Sequence, residues 1–260
     1  MRKALVISTP LVSAVGVLLQ ILLGGTNALS FGNTSLTYTA LLSIAAIIFS
    51  IIVMLTSRKA GCNVSTSPKA SGIILFIASL ALGFDAIQGF LTNITSKTSS
   101  GALPLLICGF EFVSAIVIVI FACKIFLSFE LKHEKSLLLA LIPIIWLLFK
   151  LAYEFLGYTR VANISAHYYH VLMTASTLLY LLYFFKSTSD GFKTSVNPVI
   201  CLTLPLAFFS LVTVIPNLSS AISTSESLLD AISGFDIYCL LIAVFAYTNA
   251  FNLTFSNKKI

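Results

Sequence analysis

Five ionisable side chains interrupt otherwise apolar runs: Asp85, Glu111, Lys150, Glu154 and Asp236. His170 stands near the start of a further run. Charged groups are costly inside a membrane span and persist there when they pair, bind a ligand or relay protons. Carboxylates so placed can hold a proton, a metal cation or an amine. A lysine can neutralise one of them, and a histidine can exchange a proton near neutral pH. The segment IPIIWLLFKLAYEFLGYTR, residues 142–160, shows the pattern most plainly, with Lys150 and Glu154 one helical turn apart.

The elements that must position these groups are apolar helices. The 260-residue chain is 58% hydrophobic and 9% charged, with a mean hydropathy of +1.03. Soluble domains carry about 25% charged residues, so these few charges could not cover a water-facing surface. Runs of about 20 apolar residues, enough to cross a bilayer, occur at 4–24, 37–56, 71–92, 103–127, 137–157, 167–186, 197–215 and 228–250. The fold class expected is therefore all-α, a bundle of eight membrane helices forming a single integral membrane domain without a soluble one. The connections are short and rich in Ser, Thr, Asn and Gly, as turns at a membrane surface are.

Orientation follows from the bases. Arg2, Lys3, Arg58, Lys59, Lys69, Lys124, Lys132, Lys135, Lys186, Lys193, Lys258 and Lys259 fall at one set of span ends. Only Lys97, Lys150 and Arg160 fall toward the other. By the positive-inside rule both termini are cytoplasmic. The acids are distributed the other way, with Asp85, Glu111, Glu154, Glu226, Asp230 and Asp236 in the outer half and Glu130, Glu134 and Asp190 in the inner half. The first run follows two basic residues as a signal peptide would, but its apolar stretch is longer than an h-region and no A-x-A site follows it. An uncleaved first span is expected.

Counting along the spans, Asp85 lies about seven residues before an outer end and Glu111 about eight residues after one. Lys150 lies about seven before an outer end, and Asp236 about eight after the start of the last span. At 1.5 Å per residue all four lie roughly 10–12 Å below the outer boundary. Four helices thus bring a charge to one depth. Helical spacing puts Gln88 and Thr92 on the Asp85 face, Cys108 and Ser114 beside Glu111, and Ser233 one turn outward of Asp236. His167, His170, Thr174 and Thr177 form one stripe of the sixth span. Lys150 could snorkel only with tilting or thinning, and single acids could each be interhelical glue, but glue alone leaves their common depth unexplained.

These residues define an expected polar site of Asp85, Gln88, Glu111, Lys150, Glu154, His170 and Asp236, open to the outer side and net acidic. It suits a proton, a cation or an amine-bearing solute, with Lys150 as a counter-ion that a solute displaces. A small permease or solute-binding membrane protein is the first reading. A non-transporting subunit or sensor, acting through partner membrane or cytoplasmic proteins, is the second; there the same charges form a structural network. An intramembrane enzyme is a weaker third.

No cofactor, metal or catalytic assignment follows from the sequence. The pair His167 and His170 supplies two ligands where zinc needs three or four, and His133 falls on the inner side. HExxH, GxSxG, P-loop and dinucleotide fingerprints are absent. Cys62, Cys108, Cys123, Cys201 and Cys239 form no CxxC pair and read as core residues. The scattered bases form no nucleic-acid stripe. Six N-x-S/T matches, at Asn33, Asn63, Asn93, Asn163, Asn217 and Asn252, fit the chance frequency in a chain rich in Ser and Thr. Phe84-Asp85 echoes Phe235-Asp236, too little to define a repeat. The expected partner is the lipid bilayer, and short loops with abundant Ile, Ser, Asn and Thr suit a bacterial plasma membrane.

Overall fold

A computed structural model of the chain describes residues 2–24, 32–56, 68–95, 102–127, 134–158, 164–188, 197–224 and 232–255. Among them are eight helices: α1 (Arg2–Gly24), α2 (Gly32–Thr56), α3 (Pro68–Thr95), α4 (Ala102–Phe126), α5 (Glu134–Tyr158), α6 (Ile164–Thr188), α7 (Asn197–Thr224) and α8 (Gly234–Phe255). The all-helical bundle expected from the apolar runs is what the chain forms, and the described residues hold no strand. Seven helices are long and apolar enough to cross a bilayer, and α2 contributes a shorter apolar stretch, Leu41–Leu55. The protein is thus a multi-pass α-helical membrane protein. Lys97, Arg160, Glu226, Asp230, Cys62 and the side chain of His167 lie outside the described residues.

Helices α7 and α8 form the centre. Helix α7 packs on α1, α2, α6 and α8, while α8 packs on α3, α7, α1 and α6. Of the remaining close pairs, α1 packs with α2, while α3 with α4, α4 with α5 and α5 with α6 close the bundle on the other side. Burial follows this order: 72% of the apolar window of α7 is enclosed, against 22% for α5. Trp146, Tyr180, Phe184, Phe208, Phe235, Tyr238 and Phe245 are fully buried and fill the interior. The outward faces carry Leu11, Leu22, Leu80, Leu148, Phe149 and many like them. A surface this apolar would associate in water; against lipid tails it is the matching face.

Two boundaries differ by more than five residues from those read in the sequence. Helix α7 continues past Pro216 to Thr224, because proline is tolerated in membrane helices where neighbouring groups re-satisfy the backbone. Helix α8 starts at Gly234 rather than at 228, and the expected residues 228–231 lie outside the described ones. The later start has a local cause. Ser233 and Asp236 form a reciprocal cap, with the Asp236 N–H donating to Ser233 Oγ (3.1 Å) and the Ser233 N–H donating to Asp236 Oδ2 (3.2 Å). That is a capping box with aspartate in place of glutamate.

The cap lies deep in the bundle. A Cβ on Gly234 would stand 2.6 Å from the Ala81 carbonyl oxygen and 3.0 Å from the Asp85 N. The first residue of α8 therefore sits against the backbone of α3 at Asp85, ten residues short of the end of α3 at Thr95. At 1.5 Å per residue that is about 15 Å below its neighbour's terminus.

Candidate functional site

Five helices deliver one side chain or two each to two neighbouring polar groups that share α5. Lys150 of α5 places Nζ 3.4 Å from Glu111 Oε1 on α4 and 3.6 Å from Asp85 Oδ2 on α3. One turn further along α5, Glu154 turns the same way. Its Oε1 lies 3.3 Å from His170 Nδ1 on α6, and its Oε2 accepts a 2.7 Å hydrogen bond from the Thr174 hydroxyl. The other imidazole nitrogen, Nε2, is 3.1 Å from Asp236 Oδ1 on α8. Both ring nitrogens thus face carboxylates. The Nε2 contact is a hydrogen bond, whereas Nδ1 stands at ion-pair distance from a buried Glu154 Oε1 that has no hydrogen-bond partner among the described residues.

The i, i+4 spacing of Lys150 and Glu154 lets one face of α5 serve both halves of the cluster. The same spacing puts His170 and Thr174 on the face of α6 that meets α5 and α8. Asp236 arrives at the level of Asp85 for a reason not seen in the span count. It is the third residue of α8, and the depth comes from the recessed start of that helix. The positive end of the helix, equivalent to roughly half a charge, points at the acids.

Aromatic rings complete the Lys150 half. Its Nζ lies 3.6 Å from the centroid of the Phe235 ring and 5.5 Å from that of Trp146. Trp146 and Phe235 meet edge to face at 5.8 Å, and Tyr238 closes against both at 6.2 and 6.0 Å. Gly234, Phe235 and Asp236 therefore perform three consecutive tasks: contact with α3, cover for Lys150, and pairing with His170.

The cluster is mostly enclosed. Side-chain exposure is 4% for Glu111, 10% for Asp236, 14% for Lys150 and Glu154, 17% for Asp85 and 29% for His170. Six of the seven expected site residues come together. Gln88 does not: its side chain is exposed, and its backbone carbonyl accepts from the Thr92 hydroxyl. Ser114 and Thr92 bond their own helix rather than the cluster. Two grooves of about 300 and 290 Å³ run between α3 and α4, lined by residues such as Phe90, Cys108 and Phe112 or Gly72, Phe76 and Phe126. None of the six charged residues lines either groove.

Sequence reasoning missed Trp146, Phe235 and Tyr238, which the apolar pattern hides among core residues. It missed the Ser233–Asp236 cap as well, although S-x-x-D ahead of an apolar run is a readable start signal. Among the described residues no group of three or more His, Cys, Asp or Glu side chains could hold one metal ion; Glu154 and Asp236 approach opposite nitrogens of His170 instead. Compared with family models, curated proteins and solved structures, the chain matches none. What the fold defines is the class, a multi-pass helical membrane protein with a buried ionic cluster joining α3, α4, α5, α6 and α8.

Proposed function

We propose that the cluster is a cation- or proton-binding site in a small permease or solute-binding membrane protein, facing the side opposite the basic loops. The observation that carries this reading is the charge sum. Among the described residues, Asp85, Glu111, Glu154 and Asp236 stand against Lys150 and His170 alone. With every acid ionised and His170 an imidazolium, the six side chains total −2. An enclosed site does not retain an unbalanced charge of that size, and the α8 terminus offsets only about half a unit. One or two further positive charges complete it, as protons or as a bound cation. Lys150 already occupies part of that position and is the group a cationic solute would displace.

A second reading has an observation of its own: every charged group in the cluster is directly paired. A network like this can fix helix register with no ligand, as in a non-transporting subunit or sensor. Binding separates the two. Trp146 is the only tryptophan in the chain and lies 5.5 Å from Lys150 Nζ, so intrinsic fluorescence of the detergent-solubilised protein reports on the site. Titration from about pH 8 to about pH 5, a range in which buried acids and histidines exchange protons, is expected to change that signal, and Glu111→Gln to suppress the change. Sodium, potassium or ammonium salts at constant ionic strength form the second arm. A flat response to protons and to all three cations would leave the structural network as the better account.

A further inference from the structure

We infer that the position held by Lys150 Nζ is an ammonium-recognition site, and that the solute is a small primary amine carrying an oxygen acceptor. This rests on the cation-binding reading above and narrows it. Two carboxylate oxygens, at 3.4 and 3.6 Å, and two ring faces, at 3.6 and 5.5 Å to their centroids, surround one nitrogen. Metal ions such as calcium and magnesium take six or more oxygen ligands, and ring faces supply none. Organic ammonium ions are attracted to the negative face of an aromatic ring as well as to carboxylates. The mixed set therefore selects a nitrogen cation over a metal. Lys150 fills it as a tethered occupant, with an alkyl stem where the carbon chain of a solute would lie.

The rings also carry an independent sign of a ligand. Trp146 Nε1 and the Tyr238 hydroxyl belong to fully buried side chains, and among the described residues no group pairs with either. Buried donors left alone cost about 1–3 kcal/mol each; Trp146 is one of the two rings on the ammonium position, and Tyr238 packs against both of those rings. A solute with an oxygen beside its amine would satisfy a donor here while its ammonium meets Asp85 and Glu111. The indole N–H can only donate, so the matching group is a hydroxyl, ether or carbonyl oxygen.

Ethanolamine is the probe, titrated into the detergent-solubilised full chain at fixed pH and ionic strength with Trp146 fluorescence as the readout. A saturable change is expected with ethanolamine and not with ethanol or sodium. Glu111→Gln should weaken binding at least about tenfold, the effect of removing one partner of a buried charge pair. Lys150→Ala, which takes away the tethered competitor, should tighten it by about tenfold or more. Should Lys150→Ala fail to fold, wild type against Glu111→Gln still decides, since the amide is nearly isosteric. Responses to protons or sodium but not to ethanolamine would overturn the amine inference and leave the cation site standing. Silence to all of them would remove both. Equal ethanolamine affinity in wild type and Glu111→Gln would also overturn it, because binding would then lie elsewhere.

Discussion

Helices α3, α6 and α8 carry polar side chains into the bundle at two levels, and the two levels are built differently. Toward the base-rich end, Ser71 of α3 donates to Asn249 Oδ1 (3.3 Å), and Asn249 Nδ2 donates to the Tyr180 hydroxyl of α6 (3.4 Å). All three residues are buried, none is charged at neutral pH, and the junction needs no counter-ion. Toward the other end the same helices bring Asp85, His170 and Asp236, and α4 and α5 add Glu111, Lys150 and Glu154. Register could have been fixed there by neutral groups as well. A cluster with two more acids than bases is a costly way to join helices, which is why we propose binding at that level and structural support at the other.

Removing Lys150 should have the largest effect. Lys150→Met leaves Asp85 and Glu111 enclosed without their base, and breaking a buried ion pair costs about 3–5 kcal/mol. Unfolding in mixed micelles is expected to show a loss of that order. Next comes Gly234→Ala, whose added methyl meets backbone atoms of Ala81 and Asp85 rather than a movable side chain. Overpacking of this kind costs about 1–3 kcal/mol, and the displacement of Phe235 should shift Trp146 fluorescence in the folded protein. The smallest effect belongs to Tyr180→Phe at the neutral junction. Hydrogen bonds between membrane helices average about 0.6 kcal/mol, and neither the proton nor the cation response at Trp146 should change. If Tyr180→Phe cost as much as Lys150→Met, or altered those responses, the division between a binding level and a supporting level would fail.

Much of the cluster could be read along the chain. Asp85, Glu111 and Lys150 lie where span counting places them, because the helices carrying them begin and end close to the expected positions. Asp236 came to the right level for the wrong reason: the count assumed a helix from 228, and the recessed start at Gly234 compensated. Gln88 has helical spacing from Asp85 yet faces outward, since three residues turn a helix by about 300° and leave Gln88 offset from the Asp85 face. Phe235 and Trp146 gave no signal, as an aromatic that covers an ammonium has the same hydropathy as one that fills a core.

By itself the sequence determined the class of protein, the number of helices and the set of charges available. Those depend on composition and on period, which are local properties, and a bilayer leaves few other solutions for long apolar runs. Tertiary structure alone decided that Lys150 pairs with Asp85 and Glu111 while His170 bridges Glu154 and Asp236. It also decided that the first turn of α8 closes over both halves. Pairing between helices depends on rotation and depth to within an ångström or two, set by contacts such as Gly234 on Asp85, and no spacing along one chain encodes that relation between two.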